Sequence, residues 1–381
     1  MQISVVGMSM AQHFDLVIVG GGIIGAWALH HATQRYPHWQ ILLIDRYRIG
    51  DGATAHSAGV LLATGRSPRE RRLAGESAEL YRALRDRLGI RTTQAPVYWL
   101  AERSFSADIE QALVDAPVQP ADLCVADLGP RLGASLKVGA NESLLRGGTA
   151  ESYEPPLVAR LLIGHSLASA HVRCIEGVGV QQIDALGSGT RITLADGATL
   201  RARRTLVATG PWVSEPPFNA LAARHGLRVK KVVALHIDGV PPSNAAALFL
   251  PQSDAYLMPL AARNQWLFSF RCDEWDVAPR KHALEINRHD VQVATRTLAH
   301  YLPELVARCR GGRVFCDSYS PGGESQVSFD AGQNLVFAGA GSGAGFRLAP
   351  GIAREAVDLL VAQWPDAPAT AKPTLSTVSM D

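Results

Sequence analysis

The run Phe14-Asp-Leu-Val-Ile-Val19 followed by Gly20-Gly-Gly22-Ile-Ile-Gly25 constrains this chain most: an apolar strand ends in glycines and opens onto an apolar helical stretch. In such a strand–turn–helix unit the first glycine makes the tight turn, the second lets backbone N–H groups approach a pyrophosphate, and the third lets the helix pack on the sheet. The phosphates then sit at the positive N-terminus of the helix. One Gly-x-Gly-x-x-Gly is weak by itself in a chain with 35 glycines. Its context strengthens it. Ile41-Leu-Leu-Ile44 is a second buried-strand pattern ending in Asp45, 20 residues beyond Gly25, the separation expected of an acid that binds a ribose hydroxyl. The competing reading is a glycine-rich turn beside an ordinary surface aspartate.

A chain of 381 residues, 47% hydrophobic and 19% charged, is long enough for a full core and two structural domains. Its 37 Lys and Arg against 35 Asp and Glu leave a net charge of +2, so no strong field recruits nucleic acid or an anionic membrane, and small molecules are the expected partners. Cys124, Cys174, Cys272, Cys309 and Cys316 are scattered without Cys-x-x-Cys spacing, which indicates neither a disulfide framework nor a metal site and suits a cytoplasmic location. No apolar run reaches the ~18 residues of a membrane span. The start, through Met10, lacks a basic segment and a cleavage site. Residues 1–11 and the Pro/Ala/Thr-rich 366–381 are expected to be loose termini, with Met10 a candidate start. The absence of His-Glu-x-x-His, Gly-x-Ser-x-Gly and Walker patterns argues against zinc protease, serine hydrolase and P-loop readings.

After Asp45-Arg46, the small-residue loop Gly50–Gly59 needs close backbone approach to something and is expected to enter a helix. Ser67-Pro68-Arg-Glu70 supplies an N-cap, an N1 proline and a capping-box glutamate for a helix to Gly89, with Leu73, Leu80, Leu84 and Leu88 on one face and Arg/Glu positions on a solvated one. From Thr92 to Gly148 the chain reads as irregular and strand-like, clearest at Ala95–Leu100. A helix at Leu157–Ala170 and strands at His171–Ile175, Val178–Ile183, Thr190–Leu194 and Thr199–Arg203 lead to Thr205–Ala208 and a glycine turn. Strands at Val229–Ile237, Ala255–Pro259 and Trp266–Phe270 precede a helical His289–Leu305. The chain then returns through Asn334–Ala338, a glycine-rich turn and an apolar helix to Gln363. No internal repeat is apparent. This order implies an α/β architecture in which a nucleotide-binding domain (12–91, 149–215 and 325–365) is interleaved with a mostly antiparallel α+β substrate domain (92–148 and 216–324).

Four separated stretches, Gly20–Gly25 with Asp45-Arg46, Gly50–Gly59, Val207-Ala-Thr-Gly210-Pro-Trp212 and Gly339–Pro350, together resemble the glycine oxidase, sarcosine oxidase and D-amino-acid oxidase/dehydrogenase superfamily of FAD enzymes. The resemblance runs from Asp15 to Leu360 and implies a Rossmann-like, glutathione-reductase-like three-layer FAD domain. By position, Gly20, Gly22, Ile23, Ile24 and Gly25 would face the FAD pyrophosphate and Asp45 the adenosine ribose, where most of the family carries Glu. Arg46 would flank the adenine, and the Val180 backbone would contact it. Ala53, Thr54, Ser57, Ala58 and Gly59 would run along the pyrophosphate toward the flavin, with Ala208, Gly210 and Trp212 in the turn after the late strand. Gly341, Ser342, Gly343, Gly345, Phe346, Arg347 and Leu348 would border the isoalloxazine, their backbone N–H groups at its N1/C2=O end.

The chemistry implied is hydride transfer from a carbon bearing an amine to flavin N5, giving an imine that hydrolyses, with oxygen or another electron acceptor completing the cycle. Arg347 stands where sarcosine oxidase-like members place a cationic carboxylate ligand; the alternative is a salt bridge on the closing helix. Two departures stand out. No Arg precedes the turn after Arg313-Val-Phe-Cys316-Asp-Ser-Tyr319, where Ser318 or Tyr319 falls instead. The position of the lysine used by sarcosine oxidases for oxygen activation falls near Phe268, which leaves a quinone or other acceptor open. Cys316 resembles the cysteine that links flavin covalently in monomeric sarcosine oxidase-like enzymes, or is an inert strand thiol. His56 reads as a substrate or flavin contact, or as a local hydrogen-bonding group. Tyr256, Tyr319 and Trp266 are candidates for the cavity wall or for core packing, and Arg263 and Arg271 for anion contacts or the surface. Two other functions stay open: a flavin dehydrogenase of a 2-hydroxy acid, and a flavoprotein that modifies or matures a partner polypeptide.

Overall fold

The computed structural model describes residues 13–114, 116–279 and 284–363; the expectations for the two termini lie outside them. One sheet runs Gln326–Asp330, Leu335–Gly339, Thr199–Val207, His13–Val19, Ile41–Asp45, Val172–Glu176 across its width. Its last five strands are parallel. Their near-continuous apolar runs follow from cover on both faces. Helices Ile23–Arg35, Pro68–Leu88, Pro155–Ser166 and Gly345–Ala362 bury one face. The hairpin Val180–Leu186/Gly189–Leu194 and the helix Asn219–Arg224 contribute to the core on the other.

The second sheet runs Cys309–Tyr319, Arg228–Asp238, Gln265–Ser269, Ala255–Leu260, Ala247–Leu250, Thr93–Glu102, Glu142–Ser152, Val60–Leu61, with Gln119–Pro120 beside Glu142–Ser152. Every pairing is antiparallel except Ala247–Leu250 with Thr93–Glu102. Helices Val125–Leu132 and Arg288–Tyr301 pack on it. The architecture is therefore the expected one, a Rossmann-like α/β sheet beside a mostly antiparallel α+β part.

Several local expectations change. Gly59 leads into the strand Val60–Leu61 rather than a helix, because a sheet edge is available at Glu151 and Ser152. Thr199–Val207 is one strand, its start paired with the hairpin and its end with Leu335–Phe337. The irregular region contains helices Ser106–Ala112 and Val125–Leu132. Arg288–Tyr301 stops before Pro303, whose missing N–H cannot extend it, and a tighter turn Pro303–Arg308 follows.

The Pro68–Leu88 helix is capped as its sequence requires: the Ser67 hydroxyl accepts from the Glu70 N–H at 3.2 Å, and Gly89 closes it in the left-handed conformation. Its charged positions form a solvated face at Arg72, Glu79, Arg82, Asp86 and Arg87, but not throughout. Glu70 is fully buried, and Arg69 and Arg72 pair with Glu355 of the closing helix at 2.5 and 2.8 Å. Pro350 lies inside that closing helix and has no N–H for the Phe346 carbonyl, one turn earlier. The buried Tyr81 hydroxyl supplies the missing donor at 2.7 Å, and His31 Nε2 lies 3.0 Å from the Pro350 carbonyl.

Tyr81→Phe is thus expected to leave the Phe346 carbonyl unsatisfied and cost about 1–3 kcal/mol in chemical denaturation; an unchanged midpoint would show that the carbonyl has another donor. Burial, the largest cause, pushes His30 down to about 3 and His31 to about 4, so both stay neutral when folded while an unfolded histidine protonates below about 6.5. The unfolded state then binds more protons between about pH 6.5 and 4, and stability should fall as the pH is lowered through that range, by up to about 1.4 kcal/mol per unit per group. Urea melts of the wild type and of His30→Phe across that range check this, the variant showing the shallower loss.

Candidate active site

Residues from both sheets enclose a cavity of about 700 Å³, in the upper part of the ~300–1,000 Å³ range typical of small-molecule sites. At one end Gly20 turns the chain with φ +110°, and a Cβ there would meet the Ala208 carbonyl at 2.4 Å. Gly22 is the N-cap of the following helix with no side-chain cap, and the Thr54 hydroxyl accepts the Ile23 N–H at 3.0 Å. The N–H groups of Ile24 and Gly25 remain as first-turn donors. Gly25 itself does not line the cavity. A Cβ on it would lie 1.9 Å from the Gly20 carbonyl, so its role is the close packing of helix on turn, a correction to the expected pyrophosphate contact.

The Asp45 carboxylate accepts from the Gly21 N–H at 2.6 Å and the Tyr47 N–H at 2.7 Å, and burial pushes its pKa up against these two bonds. Each oxygen keeps a further acceptor site. Arg46 pairs with Glu215 at 2.8 Å and lies over the Tyr47 ring. Val180, Ala208, Gly210 and Trp212 line the same cavity, as do Ile23, Ile24, Ala53, Thr54, Ser57, Ala58 and Gly59.

Gly341, Ser342, Gly343, Gly345, Phe346 and Arg347 also form part of the wall. Leu348 does not: it is fully buried in the helical core, and its N–H bonds the Ala344 carbonyl at 3.0 Å. Most of the turn's donors are likewise committed, Ser342 to the Ser318 carbonyl, Gly343 to Asp317 and Ala344 to the Gly341 carbonyl. The available N–H groups are therefore those of Gly345, Phe346 and Arg347, the first turn of a helix whose N-cap, Ala344, has no capping side chain.

His56, Tyr256 and Tyr319 line the cavity, whereas Trp266 is fully buried against Gly133. Arg271 lines it while paired with Asp273, and Arg263 pairs with Glu154 outside its wall. Arg313 donates to the Ser57 carbonyl at 3.0 Å. Cys316 is absent from this wall and borders a neighbouring cavity of about 320 Å³ with His56 and Trp212. Burial pushes its thiol up to about 12, which keeps it protonated and poorly nucleophilic at neutral pH.

Arg347 is a half-buried cation of the wall. Burial pulls its guanidinium below the usual arginine range, with Arg66 adding to the shift and Glu70 opposing it. Its Nε is buried without a hydrogen-bond partner, as are Thr209 Oγ1 and Ser318 Oγ, all three in residues that line the cavity. The ion pairs of the closing helix are made instead by Arg354, Glu355 and Asp358. Asp317 escaped the sequence reading. Phe315, Asp317 and Tyr319 alternate onto the cavity face of the strand Cys309–Tyr319, a period-2 signal obscured by Gly311-Gly312 at its start. Among the described residues no helix is long and apolar enough to cross a membrane, and no cluster of three metal-ligating side chains occurs.

A glycine turn on an uncapped helix, an aspartate after the second strand and unsatisfied polar atoms along one elongated wall define a dinucleotide flavoprotein site. The sequence profile of the FAD dependent oxidoreductase (DAO) family matches residues 15–359; the chain belongs to that family, and its cofactor is FAD. The fold is similar to that of glycine oxidase from Geobacillus kaustophilus, with a TM-score of 0.73 at 22% identity over 93% of this chain and 96% of that one. L-proline dehydrogenase from P. horikoshii gives 0.76 at 15% identity over 93% and 96%. Among curated proteins, the mitochondrial pyruvate dehydrogenase phosphatase regulatory subunit of Mus musculus is 36% identical over 79 residues, 20% of this chain and only 9% of that protein's length.

The residues present fit the cofactor: a Cβ at Gly22 would already lie 3.3 Å from the Thr54 hydroxyl. Gly22→Val is expected to fold, with unchanged far-ultraviolet dichroism, yet to purify without flavin. Retention of a full flavin-to-protein absorbance ratio would remove Gly22 from the pyrophosphate site.

Proposed function

We propose that this protein oxidises the C–N bond of a small amino acid or amine, with the carboxylate of the substrate held by Arg347. The observation that carries the reading is the unpartnered, buried Nε of Arg347, one turn into the helix that borders the cavity. A guanidinium in a dry wall is a strong, bidentate receptor for a carboxylate. FAD, when bound, would supply a hydride acceptor for the carbon bearing the amine, and with loss of an amine proton the product would be an imine that water hydrolyses.

The chain's own residues would do the holding. Gly20, Gly22 and the donor of Ile24 would seat the pyrophosphate, Asp45 the ribose, and Arg46 and Val180 the adenine. The first-turn N–H groups of Gly345, Phe346 and Arg347 would face the electron-rich end of the flavin. The Tyr256 ring, stacked on Phe249 with centroids 5.2 Å apart, supplies an apolar wall that would exclude water and strengthen the Arg347 clamp. Two of the solved structures of like fold bear the names of amino-acid enzymes, a glycine oxidase and a proline dehydrogenase, which supports the substrate class. A 2-hydroxy acid would call for a histidine base, and the one histidine among the described cavity residues, His56, stacks on Phe315 with centroids 6.0 Å apart.

Anaerobic mixing of the holoenzyme with glycine, sarcosine, D- and L-amino acids, cyclic imino acids and 2-hydroxy acids tests the reading. Amino or imino acids should bleach the flavin and hydroxy acids should not; readmitted air then separates an oxidase from a dehydrogenase. Bleaching by hydroxy acids alone would overturn it, and a flavin that none reduces would shift the weight to a polypeptide substrate. Arg347→Ala should weaken carboxylated substrates on the order of 10- to 100-fold and leave neutral amines little changed.

A further inference from the structure

We propose that Asp317 is the receptor for the amino group of the substrate, so that the site recognises a zwitterion with Arg347 on its carboxylate and Asp317 on its ammonium. This rests on the Arg347 clamp and deepens it: Asp317 becomes the residue that selects an amine over a 2-hydroxy acid. Asp317 lines the same cavity wall, and its two oxygens accept from the Ser318 N–H at 2.9 Å and the Gly343 N–H at 3.3 Å. Those bonds fix the carboxyl on the turn that leads directly into the helix carrying Arg347. Each oxygen retains acceptor capacity toward the cavity.

A cavity carboxylate calls for a cation, and the described residues place none on it. Among the described residues no Lys, Arg or His stands within 4.0 Å of Asp317. Its direct cross-strand neighbour is Lys230, which opposite charge would ordinarily draw onto it. The Lys230 ammonium instead rests over the rings of Trp275 and Tyr319, 5.2 and 5.3 Å from their centroids. Arg66 and Arg271, also in the wall, are held by Glu70 and Asp273, and Asp254 and Tyr319 are the other titratable groups near this end. Left without a partner, the carboxyl is pushed by burial up to about 6 despite its two backbone donors. A bound ammonium would meet the missing charge and reverse that shift. An alcohol would give only one neutral hydrogen bond, and a carboxylate with no amine would leave Asp317 facing a second anion's charge across the site.

Glycine, glycolate and acetate test this, since they share a carboxylate and differ in bearing an ammonium, a hydroxyl or neither. Their affinities for the holoenzyme are read under anaerobic conditions from the flavin spectrum, together with the shift in unfolding temperature each produces. Above pH 7 the wild type should favour glycine over acetate at least 10-fold, and the preference should fade as the pH is lowered through about 6. Asp317→Asn should abolish the preference at all pH values while leaving acetate as tight or tighter. A wild type that does not favour glycine over acetate, a preference indifferent to pH, or an Asp317→Asn loss equal for all three would overturn the proposal. Arg347→Ala separates the two readings: unchanged acetate binding defeats the clamp, whereas the glycine-to-acetate ratio judges Asp317 alone.

Discussion

The proline within the closing helix sets the constraint on which the site depends. Pro350 withholds the N–H that the Phe346 carbonyl would receive in an unbroken helix, and a buried carbonyl without a donor is costly. Tyr81 answers from the Pro68–Leu88 helix, Ser77 accepts from the Gly351 N–H beside it, and His31 meets the Pro350 carbonyl from the first helix of the chain. Three segments distant in sequence are thereby tied at one turn. That turn carries Arg347, so the backbone that bears the guanidinium is held by core bonds rather than by ion pairs that solvent would loosen.

The same logic explains the uneven treatment of charge. Arginines on the outside of this helix assembly are matched at once: Arg69 and Arg72 to Glu355, Arg354 to Glu76. Lys231, almost fully buried, lies between Asp290 and Glu274 at 2.8 and 2.9 Å. The cavity differs. There a cation, Arg347, and an anion, Asp317, remain apart, each in a low-dielectric wall where an unmatched charge is expensive. A chain that pairs many of its charges elsewhere, and leaves Arg347 and Asp317 without an ion pair in one cavity wall, is suited to a ligand that bears both charges.

Much of the fold was legible because its signals are local. The glycine turn, the Ser67-Pro68 start and Gly89 stop of the Pro68–Leu88 helix, and the apolar strands Ile41–Ile44 and Leu335–Ala338 each state their conformation within a few residues. What escaped depends on distant partners. Val60–Leu61 becomes a strand only because Glu151 and Ser152 offer an edge. Glu70 reads as a surface residue until the closing helix covers it. Gly25 matches a phosphate motif, yet its contact is with the Gly20 carbonyl, since the third glycine of the motif governs helix packing. The candidate wall was largely visible as motifs, while Asp317 needed the strand register that places it opposite Lys230.

That register also bears on the departures from the amino-acid oxidase pattern. No arginine adjoins Tyr319 in the sequence; in the proposed reading the carboxylate would be met by Arg347 of the closing helix, which leaves the strand position of Asp317 to carry a carboxylate that an arginine beside it would have neutralised. Phe268, in the position of a lysine, is wholly buried beneath Leu267 and Ser269 of the wall, so that strand presents no charge either. On this argument the departures need no loss of amine chemistry: the proposed substrate would lie with its carboxylate toward the helix and its amine toward the strand.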